Sequence, residues 1–383
     1  MIGKTRLIAL IFCLFLLILS PGLVQAQDEL AILGSSVGVE FPSRLNFNLS
    51  ARSNVNITDI RLCYTVDRAS FAQITSEAYI EFMPSTNVDV SWALEMVKIG
   101  GLPPGSSLEY WWTVKDASGN KVETAPLRVQ FDDIRYSWRS LTQGKVTIYW
   151  YKGDDSFAQE LMAATQQALG RLAEDTGAEL EKPVKLYIYA SSDDLRGALI
   201  NPRGWEGGVT FARYGIIAIG IAPGEIDWGK GAIAHELSHL VIGQMTLNPY
   251  NSPPNWLDEG LAMYTEGMLG PEFTTYLSKA IAEDSLISVQ SLSSPFSAYA
   301  EEATLSYAES YSLVEFLIAN YGQSKMLELL NTFRQGSGYD AALQTVYGFD
   351  MDGLDRLWRD YVSKQYKSSA AEWMQPALAT AGF

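Results

Sequence analysis

The hydrophobic pattern changes its period near residue 133, and one kind of element cannot serve both periods. Before that point, Leu45-Asn46-Phe47-Asn48-Leu49 and Ile60-Arg61-Leu62-Cys63-Tyr64-Thr65-Val66 alternate apolar with polar, as strands do on a half-buried sheet. Leu102-Pro103-Pro104-Gly105 reads as a turn, Tyr110-Trp111-Trp112-Thr113-Val114 as a strand, and Asp116-Ala117-Ser118-Gly119-Asn120 as a hairpin loop. Short strands at this spacing predict an antiparallel β-sandwich over 27–132. After Asp133 the pattern predicts strands at 146–151, 184–189, 207–211 and 216–221 and a helix over 156–176. From Gly229 onward it predicts helices at 230–244, 255–268, 271–284, 303–320, 324–335, 338–347 and 351–366. A β-rich lobe thus precedes an α-rich lobe within an α+β domain over 133–366, and 367–383 reads as a weakly ordered tail.

The first 26 residues bear on export rather than fold. Lys4 and Arg6 precede an apolar run from Leu7 to Leu19, and Val24-Gln25-Ala26 is a small-x-small site. This is the pattern of a signal peptide over 1–26, cleaved after Ala26. It predicts a secreted or extracytoplasmic protein, with retention as an N-terminal membrane anchor as the alternative. Cleavage removes Cys13 and leaves Cys63 alone, so no intramolecular disulfide is expected. No later segment approaches 18 uncharged apolar residues. Forty-four acids against 28 bases give a net charge of −16. That balance excludes a general nucleic-acid binder and a polybasic membrane-surface protein, both of which need clustered cations. Nothing in the chain sets the oligomeric state.

The chain has two histidines, and both lie in His235-Glu236-Leu237-Ser238-His239. On a helix, positions i and i+4 share a face, so both imidazoles can hold one Zn²⁺ and Glu236 can reach a water beside it. Ile233, Leu237, Leu240 and Val241 form the stripe that would bury the opposite face. A catalytic zinc site needs three protein ligands. With no third histidine, the third must be a carboxylate, and Glu259 in Asn255-Trp256-Leu257-Asp258-Glu259-Gly260-Leu261-Ala262 is the best candidate. Pro253 and Pro254 fit just before a second helix, with Asn255 as its N-cap.

These two motifs, at this spacing, resemble the gluzincin metallopeptidases, in particular the peptidase MA-like proteins related to thermolysin and aminopeptidase N. The resemblance runs from about Trp138 to Tyr366 and is strongest from Gly231 to Glu266. It implies a thermolysin-like domain with a helical C-terminal lobe and a zinc-dependent peptidase. Its metal ligands would be His235, His239 and Glu259, and Glu236 would be the catalytic base. In aminopeptidase N-like enzymes a tyrosine opening a later helix donates to the tetrahedral intermediate, and Tyr307 matches it in position. Ala308 and Ser310 depart from that motif, and Tyr311 is the runner-up. The G-x-M-E-N segment that holds a free amino terminus is missing. The corresponding Gly204-Trp205-Glu206-Gly207-Gly208-Val209-Thr210 suggests instead a close backbone approach, as when a peptide adds along a sheet edge. Endopeptidase is slightly favoured over aminopeptidase. Segment 27–132 resembles immunoglobulin-like or fibronectin type III-like modules in architecture, and serves as a spacer or presents substrate.

The expected partner is therefore a peptide or protein substrate, with one Zn²⁺ per chain. Glu266 or Asp258 would orient the two histidines, and Trp205 and Trp256 would wall the cleft. The rival from another class is a catalytically inactive peptidase fold kept as a binding module. A purely structural zinc site is disfavoured, because such sites are commonly rich in cysteine.

Overall fold

The computed structural model describes residues 30–72, 74–202 and 207–373, with side chains to 366. The expected signal segment 1–26, residues Gly204, Trp205 and Glu206, and the end of the expected tail, 374–383, lie outside the described residues.

The N-terminal region is β-rich. It contains β1 (Ala31–Glu40), β2 (Arg44–Val66), β3 (Ser76–Tyr79), β4 (Ser85–Glu95), a single turn of helix α1 (Met96–Ile99), β5 (Ser106–Asp116), β6 (Lys121–Glu123) and β7 (Leu127–Phe131). The expected sandwich of short strands is corrected here: the seven strands form one sheet that curls on itself. Its spine is β2, 23 residues long, which joins the two alternating stretches read above as separate strands. The first half of β2 pairs with β1 and β4, and the second half with β3 and β5. The register slips between Arg52 and Ile57 and again between Ile57 and Asp59. Core positions are odd up to the second slip (Leu45, Phe47, Leu49, Ala51, Ile57) and even after it (Ile60, Leu62, Tyr64). A bulge that changes parity lets one strand bend and still aim both halves at one core.

The second region begins with β8 (Arg139–Gln143), β9 (Val146–Trp150), α2 (Asp155–Thr176), β10 (Val184–Tyr189), α3 (Ser192–Arg196), β11 (Gly208–Phe211) and β12 (Ile216–Gly220). Its five strands lie in the order β11-β12-β10-β9-β8. The inner three are parallel, while the edge strands β8 and β11 run antiparallel to their neighbours. Both faces of the sheet are covered, which is why β10 and β12 read as nearly unbroken apolar runs. Leu186, Ile188, Ile217 and Ile219 face the helices. Tyr187, Tyr189, Ile216 and Ala218 face an aromatic layer that includes Trp138 and, from the N-terminal region, Phe41.

The helices follow: α4 (Ile226–Met245), α5 (Asn255–Glu266), α6 (Pro271–Ala282), α7 (Val289–Leu292), α8 (Ala300–Tyr321), α9 (Gln323–Arg334), α10 (Tyr339–Tyr347) and α11 (Met351–Trp373). The last continues seven residues into the expected tail. Pro254, not Asn255, caps α5, and Asn255 is its first helical residue. Ile233, Leu237, Leu240 and Val241 are buried to 1% exposure or less, so α4 is anchored along that stripe. Helix α5 crosses α8 at Gly260, where any Cβ would strike the backbone carbonyl of Ser310. This glycine sets how near the two helices can lie. Among the described residues no helix is long and apolar enough to cross a membrane.

Candidate metal centre and cleft

Helix spacing brings His235 and His239 together: their Nε2 atoms are 3.1 Å apart. Helix α5 adds Glu259, whose Oε2 lies 3.5 Å from each of those nitrogens. Three donor atoms therefore form a triangle with sides of 3.1, 3.5 and 3.5 Å. A tetrahedral ion bound at about 2.0–2.1 Å needs donors about 3.3–3.4 Å apart, so the triangle fits Zn²⁺. Glu259 Oε2 is a buried atom that makes no hydrogen bond, which leaves its lone pairs open to a cation in the triangle. The side chains of His235, His239 and Glu259 remain 20%, 16% and 18% exposed, so the open side of the triangle reaches the cleft.

The other imidazole nitrogens meet carboxylates. His235 Nδ1 lies 2.7 Å from Glu266 Oε1, and His239 Nδ1 lies 3.1 Å from Asp258 Oδ2. Such contacts fix ring orientation and raise ligand basicity. Burial pulls the His235 imidazole down, but Glu259 and Glu266 overcome it and hold it at about 9. Burial likewise opposes charge on His239, and Asp258 with Glu259 still raises it well above the ordinary value. Glu259 shows the reciprocal effect: burial pushes it up, yet the two histidines hold it at about 2. A cluster that attracts protons this strongly offers the same stabilisation to a divalent cation that replaces them.

Glu236 sits one position round α4 from His235. Thr210 on β11 donates to its Oε2 at 2.7 Å and lies 2.8 Å from its backbone carbonyl. Gly208 leaves the space the carboxylate occupies, since a Cβ there would come within 2.7 Å of Glu236 Oε1. The edge strand thus holds Glu236 and lacks side-chain bulk beside it.

Two hollows meet at Glu236. One, of about 510 Å³, is lined by Gly207, Gly208, Trp228, His235, Glu259 and Tyr307. The other, of about 720 Å³, is lined by Phe71, Thr210, Arg213, His239, Tyr250 and Asp258. Tyr307 lies in the cleft wall with its ring edge-on to Phe296 at 5.1 Å. Tyr311, one turn on, is buried against Tyr264, and burial pushes its phenol up to about 12. Trp256 does not wall the cleft: it is 1% exposed, in the core beneath α5.

The sequence reading missed Thr210 and Trp228. Trp228 lies seven residues before His235, on the same helix face, and is 51% exposed. It escaped notice because α4 begins at Ile226, a turn earlier than the apolar periodicity indicates. The loop after α4 is held by Asn248, which accepts from the backbone N–H groups of Tyr250 and Asn251 and donates to the carbonyl of Phe333.

Residues 164–364 match the family described as the Peptidase MA superfamily. No curated protein matches the chain. Among solved structures it is similar to an M1 zinc metallopeptidase from Deinococcus radiodurans, at 12% identity over 87% of this chain and 95% of that one, with a TM-score of 0.36. It is also similar to an aminopeptidase N family protein from Idiomarina loihiensis, at 11% identity over 88% and 72% of the two chains, with a TM-score of 0.33. A third likeness, to catalytically inactive OgpA from Akkermansia muciniphila in complex with an O-glycopeptide, has 7% identity and a TM-score of 0.21, and spans 27% of this chain and 29% of that one.

Proposed function

This chain belongs to the Peptidase MA superfamily, and on that premise we propose that it is an exported zinc peptidase using His235, His239 and Glu259 as ligands. The observation that carries the reading is the donor triangle, with Glu236 beside it on the same turn of α4. Zinc, when bound, supplies a Lewis acid for the scissile carbonyl and lowers the pKa of a bound water from ~15.7 toward ~7. Glu236, held by Thr210, takes the attacking water's proton and passes it to the leaving amine. Tyr307 donates its phenol O–H to the oxyanion from the cleft wall. Asp258 and Glu266 keep the histidine rings in place.

A peptide lies along the edge of β11, where Gly207 and Gly208 allow close backbone approach. Among the described residues the cleft continues to both sides of Glu236, which favours an endopeptidase. The catalytic domain is 133–366, and the β-rich module before it is a spacer or presents substrate.

The test is digestion of a peptide library with free and acetylated amino termini, read by mass spectrometry, by zinc-loaded wild type and Glu236→Gln. Internal cleavage of both peptide sets by the wild type, reduced about 10²–10⁴-fold in Glu236→Gln with zinc retained, is the expected result. Equal activity in the variant contradicts the role given to Glu236, whereas no cleavage by the wild type contradicts the peptidase reading and leaves the binding-module alternative.

A further inference from the structure

The cleft has an extension that the chemistry above does not use. On the Tyr250 side it passes Ala212, Arg213 and Gly243. The same three residues line a second cavity, of about 320 Å³, at the seam between the N-terminal region and the five-stranded sheet. The seam is closed: Ala69 N–H donates to the Arg213 carbonyl at 2.6 Å. Lys185 Nζ donates to the Gly105 carbonyl at 2.9 Å.

Arg68, Lys182, Lys185 and Arg213 line this cavity, and Asp67 is the one carboxylate among its lining residues. Asp67 is engaged, accepting from Ser107 Oγ at 3.1 Å with Arg128 at 3.6 Å. Lys185 is the least free of the cations, since it serves Gly105 and its charge is felt by Asp132. Arg68, Lys182 and Arg213 form no ion pair among the described residues. The Arg213 guanidinium stands over the Phe71 ring at 5.9 Å from its centroid, which orients it without neutralising it. In a chain with 44 acids and 28 bases, uncommitted cations gathered in one hollow run against the overall balance. A concave wall of one sign concentrates its field on an incoming group of the other.

We propose that this seam cavity is a carboxylate-binding subsite that takes an anionic group of the peptide substrate, on the Arg213 side of the scissile bond. The proposal rests on the peptidase reading and adds to it a substrate class: peptides carrying either an acidic side chain or a free terminal carboxylate at that distance. It also gives the N-terminal region a part in selectivity, because Arg68 and Phe71 belong to it.

The test is binding by fluorescence anisotropy to full-length, zinc-loaded Glu236→Gln. Three labelled peptides of one sequence are compared: neutral with an amidated end, the same with one Gln replaced by Glu, and the neutral one with a free terminal carboxylate. One of the two anionic peptides is expected to bind about fivefold to tenfold tighter than the neutral one, and which of them does so identifies the source of the carboxylate. Adding Arg213→Gln, or Arg68→Gln with Lys182→Gln, should remove the gap, and 0.5 M salt should shrink it, the Debye length being under about 10 Å at that strength. Equal binding of all three peptides, or a gap that survives Arg213→Gln, overturns the proposal. Cleavage of the three peptides by the wild type is followed in parallel. No cleavage with the gap intact indicts the peptidase reading, whereas cleavage without a gap indicts the subsite alone.

Discussion

Two carboxylates, one largely and one fully buried, stand on helices that cross each other, and they behave in opposite ways. Glu259 on α5 faces two imidazoles and is held at about 2. Glu309 on α8 is 0% exposed and accepts one backbone N–H, from Ile287 at 3.0 Å. Burial pushes it up to about 8; Ile287 and the more distant Arg359 pull the other way, and Asp355 adds to the rise. Each has one orphaned oxygen. Burial therefore does not make a metal ligand. Neighbours that can share a cation do, and those neighbours surround Glu259 alone of the two.

The largest effect that sharpens this contrast is on α8, which carries a cleft-facing turn and an interior-facing turn in succession. Tyr307→Phe should lower kcat by about 10²–10³ with little change in KM, because an oxyanion donor acts mainly in the transition state. Tyr311→Phe, from the interior-facing turn, should leave kcat near normal and lower thermal stability slightly. Steady-state kinetics on both variants decide the matter, and a crippled Tyr311→Phe beside a normal Tyr307→Phe would reverse the assignment.

Next in size is the supporting ring of carboxylates. Glu266→Gln and Asp258→Asn should each weaken zinc binding about 10–100-fold, read by competition with a chromophoric chelator. Unchanged affinity in both would mean that the histidines need no such support.

Much of this centre was legible from the chain, for a physical reason. An i, i+4 pair on a helix has nearly fixed geometry, so the sequence itself specifies that His235 and His239 meet. Glu259 was reachable by elimination, since the chain offers no third histidine. What lay beyond local spacing was less legible. Thr210 meets Glu236 across 26 residues of chain, through a strand pairing that no period announces. The single long β2 was hidden because a bulge reverses its parity, which on paper looks like the end of one strand and the start of another. Trp256 reads as amphipathic in isolation, and only the packing of α5 shows it to be core.

The smallest expected effect belongs to Glu309. Its folded-state value is above the ordinary carboxylate value, so between about pH 4.5 and 8 the folded state binds more protons than the unfolded one. Stability from this group is present at low pH and is lost as pH rises through about 8. Glu309→Gln removes that loss, so the melting temperature of the variant relative to wild type should rise by a few °C from pH 5 to pH 9. Parallel pH profiles of the two proteins would show instead that Glu309 carries no such penalty.

The central claim is that Glu259, and not merely a buried carboxylate, completes a zinc site with His235 and His239. Zinc per chain, measured by mass spectrometry of the metal after exhaustive dialysis, tests it in three proteins: wild type, Glu259→Ala and Glu309→Gln. The account predicts close to one zinc in the wild type and in Glu309→Gln, and almost none in Glu259→Ala. Full zinc retention in Glu259→Ala would contradict it.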